Sequence, residues 1–224
     1  MKRCEKCFGE YDESIAAGVC PFCGYIQGEQ QDDPRYLPIG SILHDRYIIG
    51  GVVGAGGFGI TYKAWDNKYN ICKAIKEYFQ QGVVNRIPGD TDVFVAAPKR
   101  QAEFEYGKER LIEEARIVAK FQSPSIVRVD DFFEENGTSY MVMEFLDYET
   151  MEDFLIHQKR PLTEDEAVNI GVRLCEALDE IHHAGVIHRD ISPDNIFVGK
   201  DGSVKIIDFG SARLSKEDTD SRLI

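Results

Sequence analysis

Cys4-Glu-Lys-Cys7 and Cys20-Pro-Phe-Cys23 place four of the chain's six cysteines within its first 23 residues, with twelve residues between the two pairs. A CxxC turn aims two thiolates at one point, and two such turns facing each other complete a tetrahedral four-sulfur site of the kind that Zn²⁺ occupies structurally. Gly18 and Gly24 supply flexible backbone beside the second pair, and Phe8, Tyr11 and Phe22 are the residues available for a small core. A segment this short does not fold on apolar burial alone. Metal binding supplies the folding energy of comparable zinc peptides, about 10–16 kcal/mol at neutral pH. The alternative is a redox dithiol pair, for which one CxxC would suffice and for which a βαβ setting is missing.

The segment 1–26 resembles a zinc ribbon, and with no vacant ligand position its expected role is structural or protein docking. Residues 27–40, polar and acidic with Pro34 and Pro38, read as a linker. Cys72 and Cys175 stand alone, and clustered cysteines of this type point to a reducing, cytoplasmic setting. A net charge of −13 argues against a nucleic-acid partner or an anionic membrane surface, since both need a basic face. No apolar run approaches the ~18 residues that would cross a bilayer.

Beyond the linker, Gly54-Ala-Gly56-Gly-Phe-Gly59 fits GxGxxG, a pattern shared by dinucleotide-binding folds and protein kinases. The sequel decides between them. Ile60-Thr-Tyr-Lys-Ala-Trp65 alternates with period two, Asp66-Asn67 reads as a turn, and Ile71-Cys-Lys-Ala-Ile-Lys76 reads as a second strand. The glycines therefore tip a hairpin instead of opening a helix. GGFGITY and Lys73-Ala-Ile-Lys76 resemble the glycine-rich loop and third-strand lysine of a protein kinase. From Ala102 to Phe121 the spacing predicts a helix with Phe104, Leu111, Ala115 and Val118 on one stripe. Glu114 stands where the family's helix carries the glutamate that pairs with the lysine, with Glu113 and Glu109 as alternatives at helical spacing. Ser123-Pro-Ser-Ile-Val127 is similar to the family's HPNIV. The stretch 77–101 is longer than the family's usual connection, and reads as either a flexible arm or a docking loop.

Thr138 to Leu146 resembles the fifth strand and hinge. Thr163-Glu-Asp-Glu166 is a capping box opening a helix over 163–184, with Ala167, Ile170, Leu174, Leu178 and Ile181 on one face and Gly185 as its stop. His182 and His183 at its end read as structural. His188-Arg-Asp190 with Asn195 five residues after the aspartate, then Asp208-Phe-Gly210 across a short turn, complete the resemblance.

The resemblance implies an α+β, bilobal kinase-like fold: a β-rich small lobe over 41–146 and the first part of a helical lobe over 147–224. It implies ATP-dependent phosphotransfer to a Ser/Thr hydroxyl of a protein substrate. Asp190 would accept the hydroxyl proton, Lys76, paired with Glu114, would hold the α- and β-phosphates, and Asn195 and Asp208 would hold Mg²⁺. Val53, Gly54, Ala55, Gly56, Gly57, Phe58, Gly59, Thr61, Ala74 and Phe197 would line the ATP site. Met143 would be the gatekeeper, and backbone groups at Glu144 and Leu146 would take the adenine edge. Two departures stand out: Ser192 where serine/threonine kinases carry a lysine, and Thr61 where a valine covers the adenine. After Gly210 come fourteen residues with no APE, so little transfer is expected of this chain in isolation; Ser215, Thr219 and Ser221 are candidate phosphosites. The competing function class is a nucleotide-binding interaction module without phosphotransfer.

Overall fold

The computed structural model describes residues 1–12 and 18–214; Ser215, Thr219 and Ser221 lie outside them. The chain divides into two units, Met1–Ala115 with Val129–Phe145, and Arg116–Arg128 with the chain from Leu146 onward. Among the described residues no helix is long and apolar enough to cross a membrane.

The first unit begins with β1 (Lys2–Arg3) paired to β2 (Glu10–Tyr11). Its main sheet is antiparallel, built from β3 (Ile42–Leu43), β4 (Tyr47–Ala55), β5 (Gly59–Asp66) and β6 (Ile71–Tyr78). A separate hairpin follows, β7 (Val84–Arg86) with β8 (Val93–Val95), then α1 (Gln101–Val118), β9 (Val129–Glu135) and β10 (Thr138–Glu144). The strand order is β3-β4-β5-β6-β10-β9. The period-two pattern is realised in β5, where Ile60, Tyr62, Ala64 and Asp66 are buried in alternation with partly exposed neighbours. Asp66 is tolerated inside because Arg46 grips it with two hydrogen bonds of 2.9 and 2.7 Å, and those hold its carboxyl below the usual range against the upward push of burial.

Helix α1 ends at Val118, three residues short of the expected Phe121, and it buries the expected stripe of Phe104, Leu111, Ala115 and Val118. Gly107 explains how it lies so close to the sheet. A Cβ there would fall 1.8 Å from the Tyr78 hydroxyl, so only glycine admits that ring, which also stacks on Phe104 at 5.3 Å.

Two expectations about the amino-terminal half change. Phe22 is 66% exposed and contributes nothing to the ribbon core; Tyr25, at 6%, packs there instead with Cys4 and Cys20, beside Tyr11 and Ile39. The stretch read as a linker is held to the sheet: Leu37 is fully buried, its N–H donates to the Tyr62 hydroxyl at 3.1 Å, and Gln31 donates to the Leu37 carbonyl at 2.7 Å.

The second unit contains β11 (Glu149–Thr150), α2 (Met151–Gln158), α3 (Glu164–His183), β12 (Val186–Ile187), β13 (Ile196–Val198), β14 (Val204–Ile206) and β15 (Arg213–Leu214). β11, β13 and β14 form one small sheet, and β12 pairs with β15. Both halves of the capping box are present: the Thr163 hydroxyl accepts from the Glu166 N–H, and the Glu166 carboxylate accepts from the Thr163 N–H. The helix buries Ile170, Ala177 and Ile181, whereas Ala167, expected on that face, is exposed. Its core partners are Met151, Ile196, Val198 and Val204, with Phe154, Leu162 and Leu174 packed around them.

Candidate functional site

The metal cluster is the simplest to build. Each CxxC turn closes on itself. The Phe8 N–H donates to the Cys4 carbonyl, and the Gly24 N–H to the Cys20 carbonyl, both at 2.9 Å. In both turns the residue after the second cysteine takes a left-handed backbone, φ 62° at Phe8 and 71° at Gly24. The four Sγ atoms lie within 4.8 Å of one another. Cys4–Cys23 and Cys7–Cys20 are both 3.7 Å apart, close to the tetrahedron edge of about 3.8 Å that follows from a Zn–S bond of about 2.3 Å. Burial pushes the Cys7 thiol up to about 12; at Cys20 the same push is outweighed by the backbone N–H groups of Cys23 and Phe22, which bring it to about 7. Four crowded thiols ionise together only with a cation among them, so the donor set fits a closed zinc site.

In the first unit, the glycine loop joins β4 to β5 through a tight turn, with the Gly56 N–H donating to the Gly59 carbonyl at 2.9 Å. Val53, Gly54, Ala55, Gly56, Gly57 and Phe58 are exposed, and Gly59 is partly covered. Period-two alternation along β6 puts Lys73, Ile75 and Glu77 on the buried face and leaves Ala74 and Lys76 on the other. Thr61 of β5 stands opposite Lys76, and Met143 and Glu144 of β10 stand opposite Ala74 and Lys73. The Lys76 ammonium meets the Glu114 carboxylate at 3.2 Å, and Glu114 is 7% exposed. Glu113, one of the alternatives, turns instead to Arg110 at 2.6 Å.

A second acid beside the lysine had not been singled out. Glu77 is completely buried, ion-paired to Arg86 of the β7–β8 hairpin, and accepts hydrogen bonds from Tyr62 at 3.0 Å and Tyr140 at 2.7 Å. Arg86 also donates to the Arg35 carbonyl. The 77–101 stretch is therefore a hairpin plugged into the sheet. It reaches the glycine loop too, as the Phe79 and Gln81 N–H groups donate to the Phe58 and Gly57 carbonyls at 3.1 and 2.9 Å. A charged Arg86 ten residues past Lys76 is the available signal, but sequence spacing does not reveal a partner across two turns.

In the second unit, Asp190 and Arg189 precede a short 3₁₀ turn, Pro193–Asn195. The Asn195 amide donates to the Asp190 carbonyl at 3.0 Å, and its backbone carbonyl accepts the Ile207 N–H at 2.9 Å, so the residue joins the Asp190 loop to the segment between β14 and Asp208. Arg189 and Asp208 hold positive φ values of 69° and 56°, a strained conformation that recurs at functional sites. The Asp208 carboxylate accepts the Gly210 N–H at 3.1 Å. His188, not assigned a role from sequence, is 1% exposed and ties these pieces together. Its Nδ1 accepts the Asp190 N–H and its Nε2 donates to the Ile207 carbonyl, each at 3.3 Å, which fixes one neutral tautomer; burial lowers its pKa accordingly. Its ring meets Phe209 edge-on at 4.5 Å. Leu146 and Phe197 are partly buried in this unit.

The protein kinase domain model matches residues 47–223. The chain belongs to the protein kinase family. A probable serine/threonine-protein kinase of Clostridium perfringens is 33% identical to this chain over 184 residues, 81% of the chain and 24% of that protein. The probable serine/threonine-protein kinase PknB of Lactococcus lactis is 32% identical, over 81% of the chain and 26% of that protein. The chain thus spans about a quarter of the length of these curated relatives. Among solved structures, the apo form of PpkA-294 matches with a TM-score of 0.74 and 33% identity, over 79% of this chain and 62% of that one. The family match begins at Tyr47, after the ribbon and the connecting segment.

Proposed function

We propose that this kinase transfers the γ-phosphoryl group of ATP to a serine or threonine hydroxyl of a protein substrate. The observation that carries the reading is the Lys76–Glu114 ion pair at 3.2 Å, because a lysine so held presents a fixed positive charge to the nucleotide phosphates. The glycine loop contributes backbone N–H groups unobstructed by side chains. In this reading the first unit offers Thr61, Ala74, Met143 and Glu144 to the adenine, and the second unit offers Leu146 and Phe197. Asp190 accepts the proton of the attacking hydroxyl and orients it in line with the γ-phosphorus. Asn195 uses its amide N–H on the Asp190 carbonyl, and its side-chain oxygen and the Asp208 carboxylate would hold a divalent cation. Bound Mg²⁺ would neutralise charge developing on the phosphate oxygens. Zinc at Cys4, Cys7, Cys20 and Cys23 is structural in this reading, the protein is cytoplasmic, and the exposed Val19, Phe22 and Ile26 of the ribbon are where a protein would dock.

The test is radiolabelled phosphate transfer from ATP to a mixture of Ser- and Thr-containing peptides. Asp190→Asn should lower transfer by at least about 10²-fold while leaving Mg·ATP binding in place. Measurable transfer that is equal in the wild type and Asp190→Asn contradicts the proposed role.

A further inference from the structure

The ribbon lies against the strand that leads into the glycine loop, and nothing in the phosphotransfer reading accounts for that contact. Between β4 and β5 the register slips from Ile49–Ala64 to Val52–Tyr62, so Gly50 and Gly51 have no ladder partner on β5. The Gly51 N–H donates instead to the carbonyl of Lys6, at 2.8 Å, inside the first CxxC turn. Both glycines are required by this approach. A Cβ at Gly50 would fall 2.5 Å from the Lys6 carbonyl oxygen and 2.7 Å from the Phe8 ring; one at Gly51 would fall 2.9 Å from Lys6 Cγ. On β5, Trp65 receives the same turn. The Arg3 guanidinium sits 3.7 Å over its indole, and the Phe8 ring lies 6.0 Å away. Phe8 is 7% exposed, although the ribbon alone has too little chain to bury it. The direction of the Lys6 carbonyl is set by a turn whose two ends, Cys4 and Cys7, are metal-ligand candidates. Gly51 in turn lies three residues before Gly54 on one continuous strand.

We propose that the zinc-loaded Cys4–Cys7 turn is a positioning element for the nucleotide: it clamps β4 at Gly50–Gly51 and thereby sets the loop 54–59 for phosphate binding. Zinc and nucleotide then reinforce each other's binding by the same factor, as linkage between two sites requires. The proposal rests on the nucleotide-binding part of the function proposed above.

Trp65 is the only tryptophan in the chain, so its emission reports on the docked turn directly. Zinc is removed with a chelator and its loss verified by metal analysis. Binding of Mg²⁺ with a non-hydrolysable ATP analogue is then measured by calorimetry beside Trp65 emission. The expected result is a shifted emission and a nucleotide Kd raised at least about fivefold. The reciprocal expectation is that the analogue protects zinc from a competing chelator by the same factor. Gly50→Ala keeps all four cysteines and wedges the turn off β4; the zinc-loaded variant should show both changes. If the ribbon served stability alone, zinc loss would lower the melting temperature and leave the Kd of the folded protein unchanged. An unchanged Kd in zinc-free folded protein, or in zinc-loaded Gly50→Ala with shifted Trp65 emission, overturns the proposal while the kinase reading stands. Failure of zinc-loaded wild type to bind nucleotide at all removes both.

Discussion

The two units hold their functional residues by different means. In the second, the ties come from inside the motifs themselves: His188 bonds to Asp190 and Ile207, Asn195 to Asp190, and Asp208 to Gly210. In the first, they come from elsewhere in the chain. Glu77, next to Lys76, is anchored by Arg86 of the hairpin; the glycine loop is bonded by Phe79 and Gln81; and β4 is bonded by Lys6 of the ribbon. In the proposed reading, the Asp190 loop is tied by its own motifs and depends less on segments outside them. The glycine loop is braced by segments outside its motif, which makes those segments part of the proposed nucleotide site.

The largest effect should come from Arg86→Met. It leaves a buried carboxylate without its counter-ion, which costs about 3–5 kcal/mol, and thermal or denaturant unfolding should show it. Replacing both partners, Glu77→Met with Arg86→Met, should recover much of that loss. If Arg86→Met unfolds like the wild type, the hairpin is not a brace and the contrast between the units fails.

A pH titration sharpens the other side of the comparison. Burial depresses the pKa of His188 below its ordinary value, so the unfolded chain binds more protons than the folded one. Stability from this group is therefore complete above about pH 6.5 and declines as pH falls through the lower folded value. His188→Asn should flatten that part of the stability profile. An unaltered slope in the variant means that His188 is not the buried neutral group joining Asp190 to Ile207. The smallest effect belongs to the helix cap: Thr163→Ala should cost about 1 kcal/mol, visible as a modest shift in the unfolding midpoint with nucleotide affinity unchanged.

The contrast also explains what was legible in the sequence. The ties in the second unit run within or beside the motifs themselves, even where His188 and Asn195 reach along the chain to Ile207, so the motifs around Asp190, Asn195 and Asp208 marked the residues involved, and Thr163 with Glu166 marked the start of α3. Lys76 and Glu114 were paired through the family resemblance, with Glu113 and Glu109 as alternatives at helical spacing, and Gly107, which permits that helix to lie on Tyr78, gave no periodic signal. Glu77 and Arg86 were not readable. Their pairing depends on a hairpin turning back over the sheet, and charged residues at strand and loop positions ordinarily face water. The segment 27–40 looked like a linker because its composition is polar, yet its single Leu37 is enough to seat it on Tyr62. Phe8 follows the first CxxC pair and Phe22 lies inside the second; Phe8, which meets Trp65, is buried, and Phe22 is exposed.

Native-state hydrogen exchange, comparing wild type with Arg86→Met, tests the central contrast most directly. The account predicts that amides of β5 and β6, from Gly59 to Tyr78, lose protection in the variant, while those of β13 and β14, from Ile196 to Ile206, keep theirs. Equal loss in both segments, or no loss in the first, would contradict it.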